Sequence, residues 1–319
     1  MNAPTDDWDL NLDEAHLGVG EVTDLMDRAA ILSQRDPWRR GNVVELPAEG
    51  DLVILGDLHG DRENLDRVLG WARLHRHRDR CIVFQELIHG GPPDNRGGDT
   101  SFWLLEEVAS LKCLFRSRVQ VILSNHDLAE LSGAQITKGG EAVSDRFRRG
   151  LQNTYGPNWQ VVLEAYRRFL AALPLAVSTP NGLFISHSTP EAEAMEDFDY
   201  GIFDRPLVPE DYRRGTSLYE LVWGRDHDQR SADEFARAIG AQLLVTGHQS
   251  SLPGVKTPTS RHLILTSDGR LGTVLVVPLN RRIPQGALAR QVMRIRSLRL
   301  PGARRRSRPA GQATEEPTG

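Results

Sequence analysis

Asp57 and His59 stand two residues apart in the run Gly56-Asp57-Leu58-His59-Gly60, directly after the apolar Leu52 to Leu55. A carboxylate and an imidazole at that spacing in a tight turn suit a divalent cation, and the flanking glycines let the backbone close around something small. An Asp in such a turn also serves as a helix cap or turn former, so the pair decides nothing alone. Four further apolar runs end in the same way. They lead into Gln85-Glu86, into Ser124-Asn125-His126-Asp127, into Ser186-His187-Ser188 and into Gly247-His248-Gln249. Ligands of open α/β sheets bind beyond the carboxyl ends of the strands, so these side chains are expected to converge on one rim.

The elements that must position them are legible as alternation. A helix is expected between Leu17 and Leu32, where Val22, Leu25, Met26, Ala29 and Leu32 fall at helical spacing. Strand, loop and helix then repeat three times: Leu52–Leu55 before Glu63–Arg73, Cys81–Phe84 before Phe102–Leu111, and Val119–Leu123 before a polar turn. Short strands that are nearly all apolar are buried on both faces, which indicates a layered α/β fold. Residues 140–172 carry Phe147, Leu151, Tyr155, Trp159, Val162, Tyr166 and Phe169 and are expected as a helical insertion. Strands are expected again at Leu173–Val177, Gly182–Ser186, Leu243–Thr246, His262–Thr266 and Gly272–Pro278.

The ordered set resembles the calcineurin-like metallophosphoesterases, and within them the phosphoprotein phosphatase branch that includes protein Ser/Thr phosphatases. That family carries GDxHG, GDxxDRG, GNHE or GNHD, a lone His and a final Gly-His. Here Gly56–Gly60 is intact, Ser124–Asp127 has Ser for the first Gly, His187 lies in Ile185-Ser186-His187-Ser188-Thr189-Pro190, and Gly247-His248 closes the set. Leu173-Pro174-Leu175-Ala176 and Leu221-Val222-Trp223-Gly224-Arg225 are similar to that branch as well. The likeness runs from about Leu17 to Pro278.

The resemblance implies a β-sandwich flanked by helices and a site for two divalent ions, Mn, Fe or Zn. Asp57 and His59 would hold one ion, Asn125, His187 and His248 the other, and Glu86 would bridge them. His126 would be the acid that protonates the leaving oxygen. Asp127 is a candidate to support it, but at one residue's separation capping the next helix, Leu128 to Leu131, is the stronger expectation. The second motif departs from the family: it reads Gln85-Glu86-Leu87-Ile88-His89-Gly90-Gly91. Glu86 keeps the carboxylate with one more methylene, His89 replaces the Asp that usually orients the catalytic His, and Gly90 replaces an Arg that usually holds phosphate. Arg225 and Arg230 are the expected substitutes for that cation, with Arg96 a third choice. The activity implied is hydrolysis of a phosphomonoester by metal-activated hydroxide, with a phosphoprotein or a small phosphoester as substrate. A protein that kept the fold and lost the chemistry, and a nucleotide or dinucleoside polyphosphate hydrolase, are the rival readings.

Composition sets the remaining bounds. The 319 residues are 39% hydrophobic and 26% charged, ordinary for a folded chain with a core of its own. No apolar run reaches the roughly 20 residues that cross a bilayer, and Met1–Leu12 is acidic, so a cytoplasmic protein is expected. Cys81 and Cys113 fit no metal spacing and are expected as core filler. Net charge is −4, yet residues 286–319 hold eight Arg and two Glu, which leaves −10 for the body. The expected division is an acidic arm and helix at 1–44, a catalytic domain at 45–284 and a flexible Arg-rich tail at 285–319. At most one helix, Leu288–Leu300, is expected in the tail, where nucleic acid or another anionic partner would bind; its removal is expected to spare the domain.

Overall fold

The computed structural model describes residues 17–138, 140–284 and 286–300. Two sheets lie face to face. One runs in the order Val292–Arg294, Thr273–Pro278, Asp51–Asp57, Cys81–Gln85, Val119–Ile122, with the last three strands parallel. The other has seven strands, and at its centre Leu183–Ser186, Leu243–Thr246 and His262–Leu265 run parallel.

The apolar runs are explained by burial on two sides. Leu52, Ile54, Val83 and Ile122 meet Val177, Ile185, Val245 and Leu265 between the sheets. The alternate residues Val53, Leu55, Ile82, Phe84 and Val121 face outward into the helices. Side chains of period two on a strand with two buried faces leave no polar position, hence the uninterrupted runs.

The helices Val143–Tyr155 and Trp159–Ala171 occupy the stretch expected to be helical, and their apolar faces join the main helical core. The N-terminal helix, Val19–Gln34, puts Val22, Leu25, Met26 and Ala29 into that same core. A boundary at 44/45 therefore does not separate packing units: Val43–Glu45 is itself a strand, paired in parallel with Ala176–Ser178.

The expected boundary at 284 also moves. Residues 286–300 form single turns at Leu288–Gln291 and Ile295–Ser297 around a strand, Val292–Arg294, paired antiparallel with Thr273–Leu275. Leu288, Ile295 and Leu298 are buried. The spacing that suggested an amphipathic helix is met instead by a strand between two turns, because the Thr273–Pro278 strand offers an unpaired edge there. The acidic arm at 1–14 and the Arg cluster beyond 300 lie outside the described residues. Among the described residues no helix is long and apolar enough to cross a membrane.

The sheets draw together at the rim that carries the motif residues. Asp57 bridges to Thr266 in the opposite sheet, and a Cβ on Gly56 would come within 2.0 Å of the Leu265 carbonyl oxygen. Only glycine permits that approach. Beside it, His262 is buried against His227, and its Nε2 lies 2.8 Å from Thr246 Oγ1. Burial, then the neighbouring His227, holds the His262 imidazole down at about 3. Its native pKa lies below the unfolded value, so its contribution is full above about pH 6.5 and is lost as pH falls toward 3. His262→Gln, which can keep the Thr246 hydrogen bond, is therefore expected to flatten the acid side of the stability curve. The gain over wild type between pH 6 and 5 should be about 1 kcal/mol in urea unfolding. Parallel curves for the two proteins would contradict it.

Candidate metal centre

All five strand ends deliver their polar residues to this rim, and the backbone is bent to do so. Six non-glycine residues among those described have positive φ, and four of them are His59, Glu86, His89 and His248. Left-handed backbone in residues with full side chains costs about 1–3 kcal/mol each and persists where surrounding structure enforces it, most often at functional sites. Gly247 supplies a further close approach, since a Cβ there would lie 2.2 Å from Asp57 Oδ1. The glycine before His248 lets the Asp57 carboxylate receive the His248 N–H at 2.8 Å.

Hydrogen bonds at the periphery fix where each imidazole carries its proton. Gln85 donates through Nε2 to the Leu55 carbonyl, so its Oε1, 2.9 Å from His187 Nδ1, must accept. His187 Nε2 is then a lone-pair atom. It faces Glu86 Oε2 at 2.8 Å and Asn125 Oδ1 at 2.7 Å. His248 Nε2 faces the Trp223 carbonyl at 3.2 Å and donates to it, which leaves His248 Nδ1, 3.0 Å from Asn125 Oδ1, also a lone-pair atom. Four electron-rich atoms thus point at one another, an arrangement stable only with a cation between them. Glu86, His187 and His248 have ligand atoms within 4.8 Å of one another.

A second group shares the same carboxylate. His59 donates from Nδ1 to the His89 carbonyl at 2.7 Å and turns its Nε2 to Glu86 Oε1 at 3.6 Å. His126 Nε2 lies 3.0 Å from the same oxygen. His59, Glu86 and His126 form the second set of ligand atoms within 4.8 Å. One carboxylate in two donor sets, built of oxygen and imidazole with no thiolate, fits a pair of divalent cations of the Mn, Fe or Zn class.

Electrostatics agree. Burial, then the Glu86 charge, raises Asp57 to about 7, while burial holds His187 below its usual range and His248 down at about 2. A carboxylate that retains a proton beside imidazoles that shed theirs is a cluster short of positive charge, which a metal ion supplies.

The remaining expected residues fare differently. Asp127 accepts from Ser124 N at 2.9 Å and Ser124 Oγ at 2.8 Å, closing a capping box on the helix Asn125–Ser132. It caps that helix rather than supporting His126, because its carboxylate hydrogen-bonds to Ser124 N and Ser124 Oγ. Arg225 follows the Trp223 carbonyl that receives His248, and its charge helps to hold down both His187 and His248. Arg230 instead sits exposed on the first turn of Gln229–Ala238, beside Asp228, which corrects its pairing with Arg225. Gln85 and the Trp223 carbonyl were missed in the sequence. Gln85 carried one available signal, since it occupies a motif position where the family has glycine.

The molecule is thus a two-sheet α/β sandwich flanked by helices, with donor sets at its strand ends. No family model matches the chain. A probable serine/threonine-protein phosphatase of Encephalitozoon cuniculi is 26% identical over 224 residues, which cover 66% of this chain and 44% of that protein. The chain thus spans less than half the length of that curated relative. A solved protein serine/threonine phosphatase from Saccharomyces cerevisiae, with similarity to human phosphatase PP5, superposes with a TM-score of 0.63 at 16% identity, covering 89% of this chain and 91% of that one. A cold-active protein tyrosine phosphatase reaches a TM-score of 0.54 at 12% identity over 77% of each chain. The fold is that of the protein Ser/Thr phosphatases, and these findings are consistent with the phosphoprotein phosphatase branch of the calcineurin-like fold.

Proposed function

We propose that this protein is a metal-dependent phosphoesterase that hydrolyses phosphomonoesters, with phosphoserine or phosphothreonine in proteins as the substrate class. The observation that carries this reading is the Glu86 carboxylate shared by two donor sets whose other atoms are lone-pair nitrogens and an amide oxygen. Asp57, His59 and Glu86 would hold one ion; Asn125, His187, His248 and Glu86 would hold the other. Divalent ions held there supply Lewis-acid charge for the phosphoryl oxygens and lower the pKa of water. His126, with Nε2 directed at the centre, serves as the general acid for the leaving oxygen. Arg225 takes the place of the cation missing at Gly90 and binds phosphate from the opposite loop.

The test is elemental analysis of the purified protein together with para-nitrophenyl phosphate turnover in added Mn. Two bound ions and turnover are expected; no transition metal and no turnover with any divalent ion would overturn the reading. A panel of phosphopeptides against dinucleoside polyphosphates decides the substrate class, with preference for the latter favouring a nucleotide hydrolase. Arg225→Ala should raise KM for a phosphopeptide by about tenfold with unchanged metal content, since one charged phosphate contact is worth about 1.5–3 kcal/mol. An unchanged KM would place the phosphate elsewhere.

A further inference from the structure

His126 turns its Nε2 to the Glu86 carboxylate and its Nδ1 to a second imidazole. Its Nδ1 lies 3.0 Å from Nδ1 of His89, whose ring stands edge-on to Phe147. Nitrogen facing nitrogen is a hydrogen bond only if one ring donates and the other accepts. What decides the direction lies one step further out. His89 Nε2 is 3.3 Å from Glu130 Oε1, and both residues are fully buried. Glu130 in turn lies 3.6 Å from Arg148 Nη2 and 3.8 Å from Arg167 Nη2, on two different helices. His89 Nε2 and the two Glu130 oxygens make no hydrogen bond of good geometry, with each other included, yet the 3.3 Å separation puts Glu130 Oε1 within donor reach of His89 Nε2 after a small ring rotation.

We propose that Glu130 and His89 form a two-link positioning chain for His126, in which Glu130 fixes the proton of His89 on Nε2 and so leaves His89 Nδ1 to accept from His126 Nδ1. Glu130 takes a proton donor and offers none, hence the tautomer of His89 is set. His126 is then held with one proton on Nδ1, and its Nε2, aimed at Glu86, takes up from solvent the second proton that it gives to the leaving oxygen. Arg148 and Arg167 hold the Glu130 carboxylate in place from two helices. The carboxylate that orients this acid is thereby moved one imidazole outward, to a residue in the helix that follows Asn125 and His126. Both are positioning residues, and their effect on turnover rests on the function proposed above; the tautomers do not.

The experiment therefore has two arms. In the first, ¹⁵N-histidine NMR of the full chain loaded with diamagnetic Zn reads the tautomers directly. His89 is expected protonated on Nε2 and His126 on Nδ1, and E130Q should remove that preference. His89 protonated on Nδ1 in the wild type would overturn the proposal whatever the activity. In the second, kcat of the metal-loaded protein is compared for para-nitrophenyl phosphate and an alkyl phosphate. A poor leaving group needs the acid more, so E130Q should lower kcat for the alkyl ester about tenfold to a hundredfold, with a smaller loss for the aryl ester and little change in KM.

Rescue separates positioning from mere packing. In Asp, Oδ1 occupies nearly the position of His Nδ1, and Asp tolerates the left-handed backbone at residue 89, so H89D accepts from His126 without help from Glu130. H89D alone buries two carboxylates together and should be slower than the H89D/E130Q double variant, which should recover most of the lost kcat. A double variant no better than E130Q, or equal losses for both esters, would overturn the chain. Should E130Q fail to fold, H89N against H89A reads the same link. The amide oxygen keeps an acceptor at Nδ1, so H89N should be several-fold faster on the alkyl ester; equal rates would overturn it.

Discussion

Glu86→Gln is expected to empty both metal positions and to lower phosphoester turnover by about a thousandfold or more. The geometry makes this carboxylate the shared member: Oε1 faces His126 Nε2 at 3.0 Å and His59 Nε2 at 3.6 Å, while Oε2 faces His187 Nε2 at 2.8 Å. An amide of the same shape removes the one negative charge placed between two dications and turns N–H bonds toward imidazole nitrogens or ions. Metal-derived stabilisation of a phosphoryl transition state amounts to several kcal/mol, and about 4 kcal/mol is a thousandfold. The measurement is metal content per chain alongside kcat for para-nitrophenyl phosphate. Glu86→Asp supplies the contrast: it keeps the charge, shortens the arm by one methylene and tolerates the positive φ at this position, so both ions should be retained with reduced turnover. Two ions and normal turnover in Glu86→Gln would show that the bridge lies elsewhere.

The residues around Glu86 were legible in the sequence because their signal is local. Asp57, His59, Asn125, His187 and His248 each follow directly on an apolar run, and a strand buried on both faces must end where its first polar residue reaches the rim. Order and residue type then sufficed to place them on one rim. The support layer was not legible, for a physical reason. Glu130 lies one turn past the motif that opens the helix Asn125–Ser132, outside the motif itself, and its meaning comes from Arg148 and Arg167, which arrive from helices 18 and 37 positions later in the chain. Asp127 was legible for the opposite reason. A residue three after Ser124 at a helix start satisfies the orphan N–H groups of that first turn, whatever its proximity to His126. Position relative to the helix outweighed position relative to the catalytic candidate.

The C-terminal segment was misread because composition was averaged over a window that joins two unlike parts. Deleting residues 286–319 is expected to unfold the protein, whereas deleting 301–319 should leave its melting temperature, metal content and small-substrate turnover nearly unchanged. The first deletion removes the Val292–Arg294 edge strand, with its pairing to Thr273–Leu275, and the buried side chains of Leu288, Ile295 and Leu298. Three such side chains contribute about 5–9 kcal/mol by burial, against a total stability for a typical domain of about 5–15 kcal/mol. Their loss also exposes the Thr273–Pro278 edge, which favours aggregation. The second deletion begins after the last of these contacts, and every candidate ligand lies between Asp57 and His248. A gentler probe is Ile295→Ala, which should cost about 2–5 kcal/mol with metal content unchanged in the native state. Thermal unfolding and elemental analysis of the three variants decide the matter. A soluble 286–319 deletion with wild-type stability would mean that this edge strand and its three apolar anchors are dispensable to the sandwich.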